Sequence, residues 1–318
     1  MYERHAAWST PGRFRFVDAS ELADSPRPLE RCVTGGDVIK LLERNIASVE
    51  RRLVLLAPPQ AQLPDAFTNV TYDSDLHTDL VREMQSVRGA IYLHEGNVKY
   101  DQLSADGRHQ TPEDERSWHL LWTDAAGHVS SCAWYLEHES TTSVRSLRMR
   151  HCPLVAFDEW RDKLYGAVEA EIARARRAHL RYAEVGGWAV SKERRCTSEG
   201  LVLALAAYGL CRMLGGALGI TTANVTHASS SILRRLGGSY LEYDGARMPT
   251  YFDPGYNTQI ELLRFDSRRP SAKYAGLVDM LGTKLESVSV IANAIDVVDG
   301  EAHLQAVMSR IAQPQFAL

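Results

Sequence analysis

Apolar positions along this chain follow two rhythms. Between Asp37 and Leu56, Val38, Leu41, Ile46, Val49 and Leu53 recur every three to five residues. That spacing predicts a helix, capped by Asp37 and stopped by Pro58 and Pro59. A second helix is expected over Ser74–Ile91. The rhythm then shortens. Trp118–Thr123 (WHLLWT) and Val129–Glu137 (VSSCAWYLE) flank a turn at Asp124–Gly127 and predict a β-hairpin, with Val144–Met149 as a third strand. Glu159–His179 returns to helical spacing, with Trp160, Leu164, Val168, Ile172 and Ala175 on one face. Arg174, Arg176 and Arg177 in its last turn match the negative end of the helix dipole.

Tyr182–Val190 (YAEVGGWAV) reads as a strand with a bulge at Gly186-Gly187. A polar loop, Ser191–Glu199, leads through Gly200 into an apolar helix, Leu201–Leu214, that Gly215-Gly216 ends. Leu218–Ala223 is expected as a strand and Ser229–Leu236 as a short helix. Tyr240–Tyr243 and Gln259–Phe265 read as closing strands, and Ala272–Leu318 as a largely helical tail. The expected organisation is therefore an N-terminal extension with one long helix (1–75), a mixed α and β core (76–271) and a helical tail (272–318).

Composition narrows the function. The 318 residues are 45% hydrophobic and 24% charged, as in a globular protein able to bury its own core. Thirty-six Lys and Arg against 40 Asp and Glu give a net charge of −4, which argues against a surface that grips nucleic acid. Five widely spaced cysteines without a CxxC pair predict neither a disulfide framework nor a zinc ribbon. No HExxH occurs among the 11 histidines, so no metal is expected. Leu201–Cys211 is too short for a membrane span. Met1–Trp8 is polar and lacks the apolar run of a signal peptide, so a reducing cytoplasm is the expected compartment.

The charge is uneven. Seven basic residues (Arg174, Arg176, Arg177, Arg181, Lys192, Arg194 and Arg195) face only Glu184 and Glu193 over the same stretch. Such an excess suits an anionic donor, either the phosphates of a cofactor or an acidic carrier protein. Within it, Glu184 lies on the glycine-weakened strand, and Arg194-Arg195 enter the loop that opens a helix at Gly200. Backbone N–H groups at a helix start, backed by arginine, bind phosphate. A weakened strand beside them offers backbone groups to an extended ligand such as pantetheine.

These residues resemble the acyl-CoA-binding core of the GNAT acyltransferase superfamily. Its Gln/Arg-x-x-Gly-x-Gly/Ala loop is similar to Arg195-Cys196-Thr197-Ser198-Glu199-Gly200, with Ser198 in place of the first glycine. Thr226–Gly238 resembles the second cofactor segment, with Thr226 where many members have Asn. A closer resemblance is to acyl-homoserine-lactone synthases and bacterial N-acyl amino acid synthases. The Glu-Leu-Ser-Arg-Phe-Ala-Val strand of the lactone synthases is similar to Glu184–Val190, with Gly187 replacing the arginine. Val87-Arg88 followed by Tyr92, the hairpin Trp118–Tyr135 and the segment Pro249–Ser267 resemble other parts of that branch. The resemblance spans Arg82–Ser267.

It implies an α/β (α+β) fold of GNAT type: a mostly antiparallel central sheet, split at a bulged strand and flanked by helices. It also implies direct transfer of an acyl group from an acyl-CoA or acyl carrier protein thioester to the amine of a small molecule, with an amino acid as one candidate. Glu184 is then the candidate base, and Tyr208 the candidate acid for the departing thiolate. Trp188, Ala189 and Val190 would carry the oxyanion and donor contacts. Arg195, Cys196, Thr197, Ser198, Glu199, Gly200, Thr226 and Ser229 would hold the donor. Arg88, Trp118 and Trp134 would line the substrate pocket. A covalent route through Cys196, an acetyltransferase acting on a drug, peptide or protein lysine, and a non-catalytic acyl-thioester sensor remain open at this point.

Overall fold

The computed structural model of the chain describes residues 35–293, except Gln60 and Cys196. The start of the expected extension, Met1–Pro28, and the end of the expected tail lie outside those residues. In chain order the elements are α1 (Gly35–Ile46), β1 (Leu53–Leu56), β2 (Val70–Tyr72), α2 (Ser74–His94), β3 (Trp118–Thr123), β4 (Val129–His138) and α3 (Asp158–Arg177). Then follow β5 (Arg181–Val190), α4 (Glu199–Met213), β6 (Ala217–Asn224), α5 (Ser229–Leu236), β7 (Ser239–Tyr240), β8 (Glu242–Tyr243) and β9 (Ala246–Arg247). The last are β10 (Tyr251–Asp253), β11 (Thr258–Asp266), α6 (Ala275–Leu285) and β12 (Ser289–Ala292).

Ten strands form one sheet in the order β10-β11-β6-β5-β4-β3-β1-β12-β2, with β7 also on β11. β8 and β9 form a separate hairpin. From β10 to β1 the pairing is antiparallel except between β5 and β6. One face packs on α1, α4 and α6 through a core that includes Leu42, Leu203 and Leu281. The other packs on α3 through Leu164 and Val168, and on α2 through Met84 and Ile91.

Two irregularities shape the middle of the sheet. The β5–β6 register ends at Val185↔Thr221, although β5 runs on to Val190 along β4 and β6 to Asn224 along β11. The strands therefore part into a wedge. On the other edge of β5, Trp134 pairs Gly186 while Cys132 pairs Ala189, so Gly187 and Trp188 together oppose one residue. Gly187 takes φ +61°, the left-handed conformation that glycine adopts freely. The expected bulge sits at this point.

Several expectations change. The helix expected over Asp37–Leu56 ends at Ile46, and Leu53–Leu56 form a strand. Paired to β3 on one side and β12 on the other, that run is buried from both edges, and tertiary pairing overrides its helical spacing. Val144–Met149 is not a strand; single 3-10 turns cover Val144–Ser146 and Arg148–His151. Carboxylates hold their N–H groups: Glu169 that of Val144, and Glu184 those of Arg148 and Met149. Tyr240–Tyr243 breaks into two short strands in different sheets. The tail contributes α6 and then β12, which inserts between β1 and β2. Strands from the expected extension and tail thus complete the same sheet as the core.

Candidate active site

Alternation along β5 turns Ala183 toward α4 and Glu184 toward the opposite face. There Glu184 lines a cavity of about 180 Å³ at the wedge, with Trp134, Arg148, Thr222, Tyr251 and Tyr256. Its carboxylate is 3% exposed and fully engaged. Oε2 lies 3.0 Å from His138 Nε2 and accepts the Arg148 N–H at 3.0 Å; Oε1 accepts the Met149 N–H at 3.2 Å. Trp134 forms the neighbouring wall because Gly186 and Gly187 have no side chains. A Cβ on either would come within 2.4 Å of the indole.

Arg148 brings a cation into the cavity. Its Nη2 donates to the Tyr256 hydroxyl at 2.6 Å. Among the described residues it makes no ion pair within 4.0 Å, and Glu113 acts on it only from further away. Asp253, also on the cavity wall, has its carboxyl pushed above the usual range by burial. Burial pushes the Cys152 thiol up to about 11, so it stays protonated at neutral pH. The buried Tyr251 hydroxyl meets only that thiol, a weak partner. A larger apolar hollow of about 510 Å³ lies along α2 beside Ala90, Leu93 and Tyr100, apart from these groups.

The loop before α4 is held by local bonds. The Thr197 hydroxyl donates to the Arg194 carbonyl at 2.7 Å and accepts the Glu199 N–H at 3.2 Å. Ser198 accepts from the Asn45 side chain of α1. Arg194 pairs with Glu199 at 3.3 Å, and Arg195 with Glu95 at 2.5 Å. Burial pushes the Glu199 carboxyl up, and Arg194 offsets part of that. Trp188 and Val190 lie over Gly200, where a Cβ would be 3.0 Å from Val190. Among the described residues the buried Trp188 Nε1 has no hydrogen-bond partner. Ala189 points to the opposite face, among Leu121 and Cys132. Ser229 donates to the Asn224 carbonyl at 2.8 Å, and Thr226 and Thr258 hydroxyls are 3.2 Å apart.

Other expected site residues fall elsewhere. Tyr208 packs on Phe265, with ring centroids 6.1 Å apart, in the α4 layer; the sheet separates it from Glu184. Trp118 is on that same face, 5.8 Å from Phe67. Arg88 does not line the cavity: it is 1% exposed and locked to Asp114 at 2.9 and 2.6 Å. Cys196 lies outside the described residues. The basic run is not one patch. Arg174, Arg176, Arg177 and Arg181 sit at the start of β5, a strand length of roughly 30 Å from Lys192–Arg195. Arg174 pairs with Glu171 and Arg181 with Glu139, while Arg176 donates to the Ser140 and Thr142 carbonyls. Conversely, Arg148 and His138 carry no sequence signal, and Tyr251 and Tyr256 stand out only as part of the segment Pro249–Ser267; the closure of the fold brings them to Glu184.

The layers, the bulge and the wedge define a mixed α/β fold with one large central sheet flanked by helices. No family model and no curated protein matches the chain. Among solved structures it is similar to a CoA-dependent acyl-homoserine lactone synthase, BjaI, with SAM and isopentyl-CoA. The identity is 15% over 80% of this chain and 99% of that one, with a TM-score of 0.46. It is also similar to FeeM, an N-acyl amino acid synthase from uncultured soil microbes, at 12% identity over 61% and 87%, with a TM-score of 0.39. A third is mosquito arylalkylamine N-acetyltransferase like 5b, at 15% identity over 67% and 99%, with a TM-score of 0.40.

Proposed function

We propose that this protein is an N-acyltransferase that moves an acyl group from a phosphopantetheine thioester to the amine of a small acceptor bearing a carboxylate, an amino acid. The observation that carries this reading is the juxtaposition of Glu184 and Arg148 in one small cavity at the wedge. Arg148, without an ion-pair partner there, suits the acceptor carboxylate. A protein lysine or a simple drug amine brings no such group.

The donor fits the wedge. Beyond Val185, the β6-side edge of β5 has no partner strand, so pantetheine amides can pair with it. The orphaned Trp188 Nε1 would donate to an oxygen of the donor. The donor phosphate, in coenzyme A or on a carrier protein, would lie at the start of α4 beside Arg195. In the reaction the acceptor amine loses a proton to Glu184, directly or through water. Its nitrogen bonds to the thioester carbonyl carbon, a β5 N–H near Trp188 holds the oxyanion, and the C–S bond breaks. The thiolate takes a proton from Tyr251, which lines the cavity as Tyr208 does not, and the phenolate regains a proton from the nitrogen of the new amide. The free cysteines Cys132, Cys152 and Cys211 suit a reducing cytoplasm. Among the described residues no helix is long and apolar enough to cross a membrane.

The test follows free thiol released from acyl-CoA and acyl carrier protein with amino acids and with the matched amines lacking the carboxylate. Release with amino acids, and much less with the matched amines, is the expected result. No thiol release with any amine would leave a binding protein rather than an enzyme.

A further inference from the structure

The loop after α2 crosses the mouth of the wedge. Glu95 pairs with Arg195 at 2.5 Å, and its second oxygen accepts from Asn97 at 2.7 Å. Asn97 in turn meets Asn224, at the end of β6, at 3.5 Å. Asn257, in the turn before β11, donates to the Gly96 carbonyl at 3.1 Å. Residues 95–97 therefore tie the loop before α4 to the far side of the wedge.

Glu95 is out of place on local grounds. It is the C-terminal cap of α2, where the helix dipole disfavours a carboxylate. Its side chain is only 14% exposed, so solvent does little to offset that. Arg195 compensates it. Yet Arg195 also belongs to the loop expected to hold the donor phosphate, and a carboxylate and a phosphate compete for the same fork of N–H groups.

We propose that Glu95 is an internal competitor of the donor phosphate: it engages Arg195 until a phosphate displaces it, which weakens the hold on phosphorylated thioesters and leaves unphosphorylated ones unaffected. This rests on the reading of the wedge as a phosphopantetheine site. A phosphate carries more charge and more acceptor oxygens than a carboxylate, so it wins Arg195, while an uncharged pantetheine end leaves Glu95 in place. Removing the charge of Glu95 frees Arg195 and favours phosphorylated ligands alone.

Binding of coenzyme A, 4′-phosphopantetheine and pantetheine to the full chain, measured by calorimetry, tests this. In Glu95→Gln the dissociation constants of the two phosphorylated ligands fall about tenfold and that of pantetheine is unchanged. In an Arg195→Ala background the same substitution changes none of them, which separates the effect from any loosening of the loop. An equal change for all three ligands, or none, overturns the proposal. If coenzyme A responds as expected but no amine supports thiol release, acyl transfer fails and the competition for Arg195 stands. If transfer proceeds while Glu95→Gln leaves coenzyme A affinity as it was, the competition alone fails.

Discussion

Arg148 meets Glu184 through its own backbone. Its N–H donates to Glu184 Oε2 at 3.0 Å, while its guanidinium donates to Tyr256 at 2.6 Å. One residue thus fixes the distance between the carboxylate and the cation of the cavity. Replacing Glu184 by Gln removes the proposed base and turns an N–H₂ group toward donors. We expect kcat to fall about a hundredfold or more, coenzyme A binding to persist, and stability to drop by about 1–3 kcal/mol. Turnover at the wild-type rate would remove Glu184 from the chemistry.

Arg148→Lys keeps the charge and loses the planar fork. Steady-state kinetics should show a KM for amino acid acceptors raised about tenfold or more, a smaller effect on kcat, and no change for amines without a carboxylate. A rise of equal size for both kinds of acceptor would assign Arg148 to the wall of the cavity rather than to the carboxylate.

Gly187 combines a positive φ with close contact. A Cβ there would lie 2.3 Å from Trp134 Cδ1. Gly187→Ala is expected to cost about 1–3 kcal/mol in urea unfolding, part from strain and part from the displaced indole. Adding Trp134→Leu should restore the packing part and leave the strain. Full recovery in the double variant would mean that φ carries no penalty.

The buried pair Arg88–Asp114 reads as structural. Burial alone would raise the Asp114 carboxyl, but Arg88 outweighs it and holds the group below its usual range. Arg88→Ala leaves that carboxylate with Gln85 and Thr111 alone, so about 3–5 kcal/mol should be lost. A variant of normal stability but raised acceptor KM would instead return Arg88 to the substrate pocket.

These cases show what the chain reveals before it folds. The bulged strand is legible because Gly186-Gly187 interrupts an alternating run, and α5 because Gly237 stops a short capped pattern. β1 is hidden because Leu53 continues the helical spacing of α1, and its partners β3 and β12 are far along the chain. Glu184 is visible through its neighbours in sequence; Arg148 is 36 residues away from it and sits in an irregular turn that no periodicity marks. Tyr208 shows the converse. Its place on α4 is evident, but which face of the sheet α4 covers is decided only by packing.

Acid stability follows from two buried histidines near that pair. Burial, with repulsion from Arg88, lowers His109 to about 4. Burial likewise lowers His119 to about 4, although Nε2 lies 2.7 Å from the Asp114 carbonyl oxygen. Both are neutral in the folded protein, while in the unfolded chain they titrate near 6.5. Between those values the unfolded chain binds more protons, so stability falls as pH falls from about 6.5 to about 4. A displacement of this size corresponds to about 3 kcal/mol per group once complete. Urea unfolding between pH 7.5 and 4.5 should show this slope. His109→Phe keeps a ring against Tyr92, whose centroid is 5.3 Å away, and should remove about half of it. His119→Asn should remove a similar share at some loss of packing. The same slope in both variants as in the wild type would assign the acid sensitivity to the carboxylates instead.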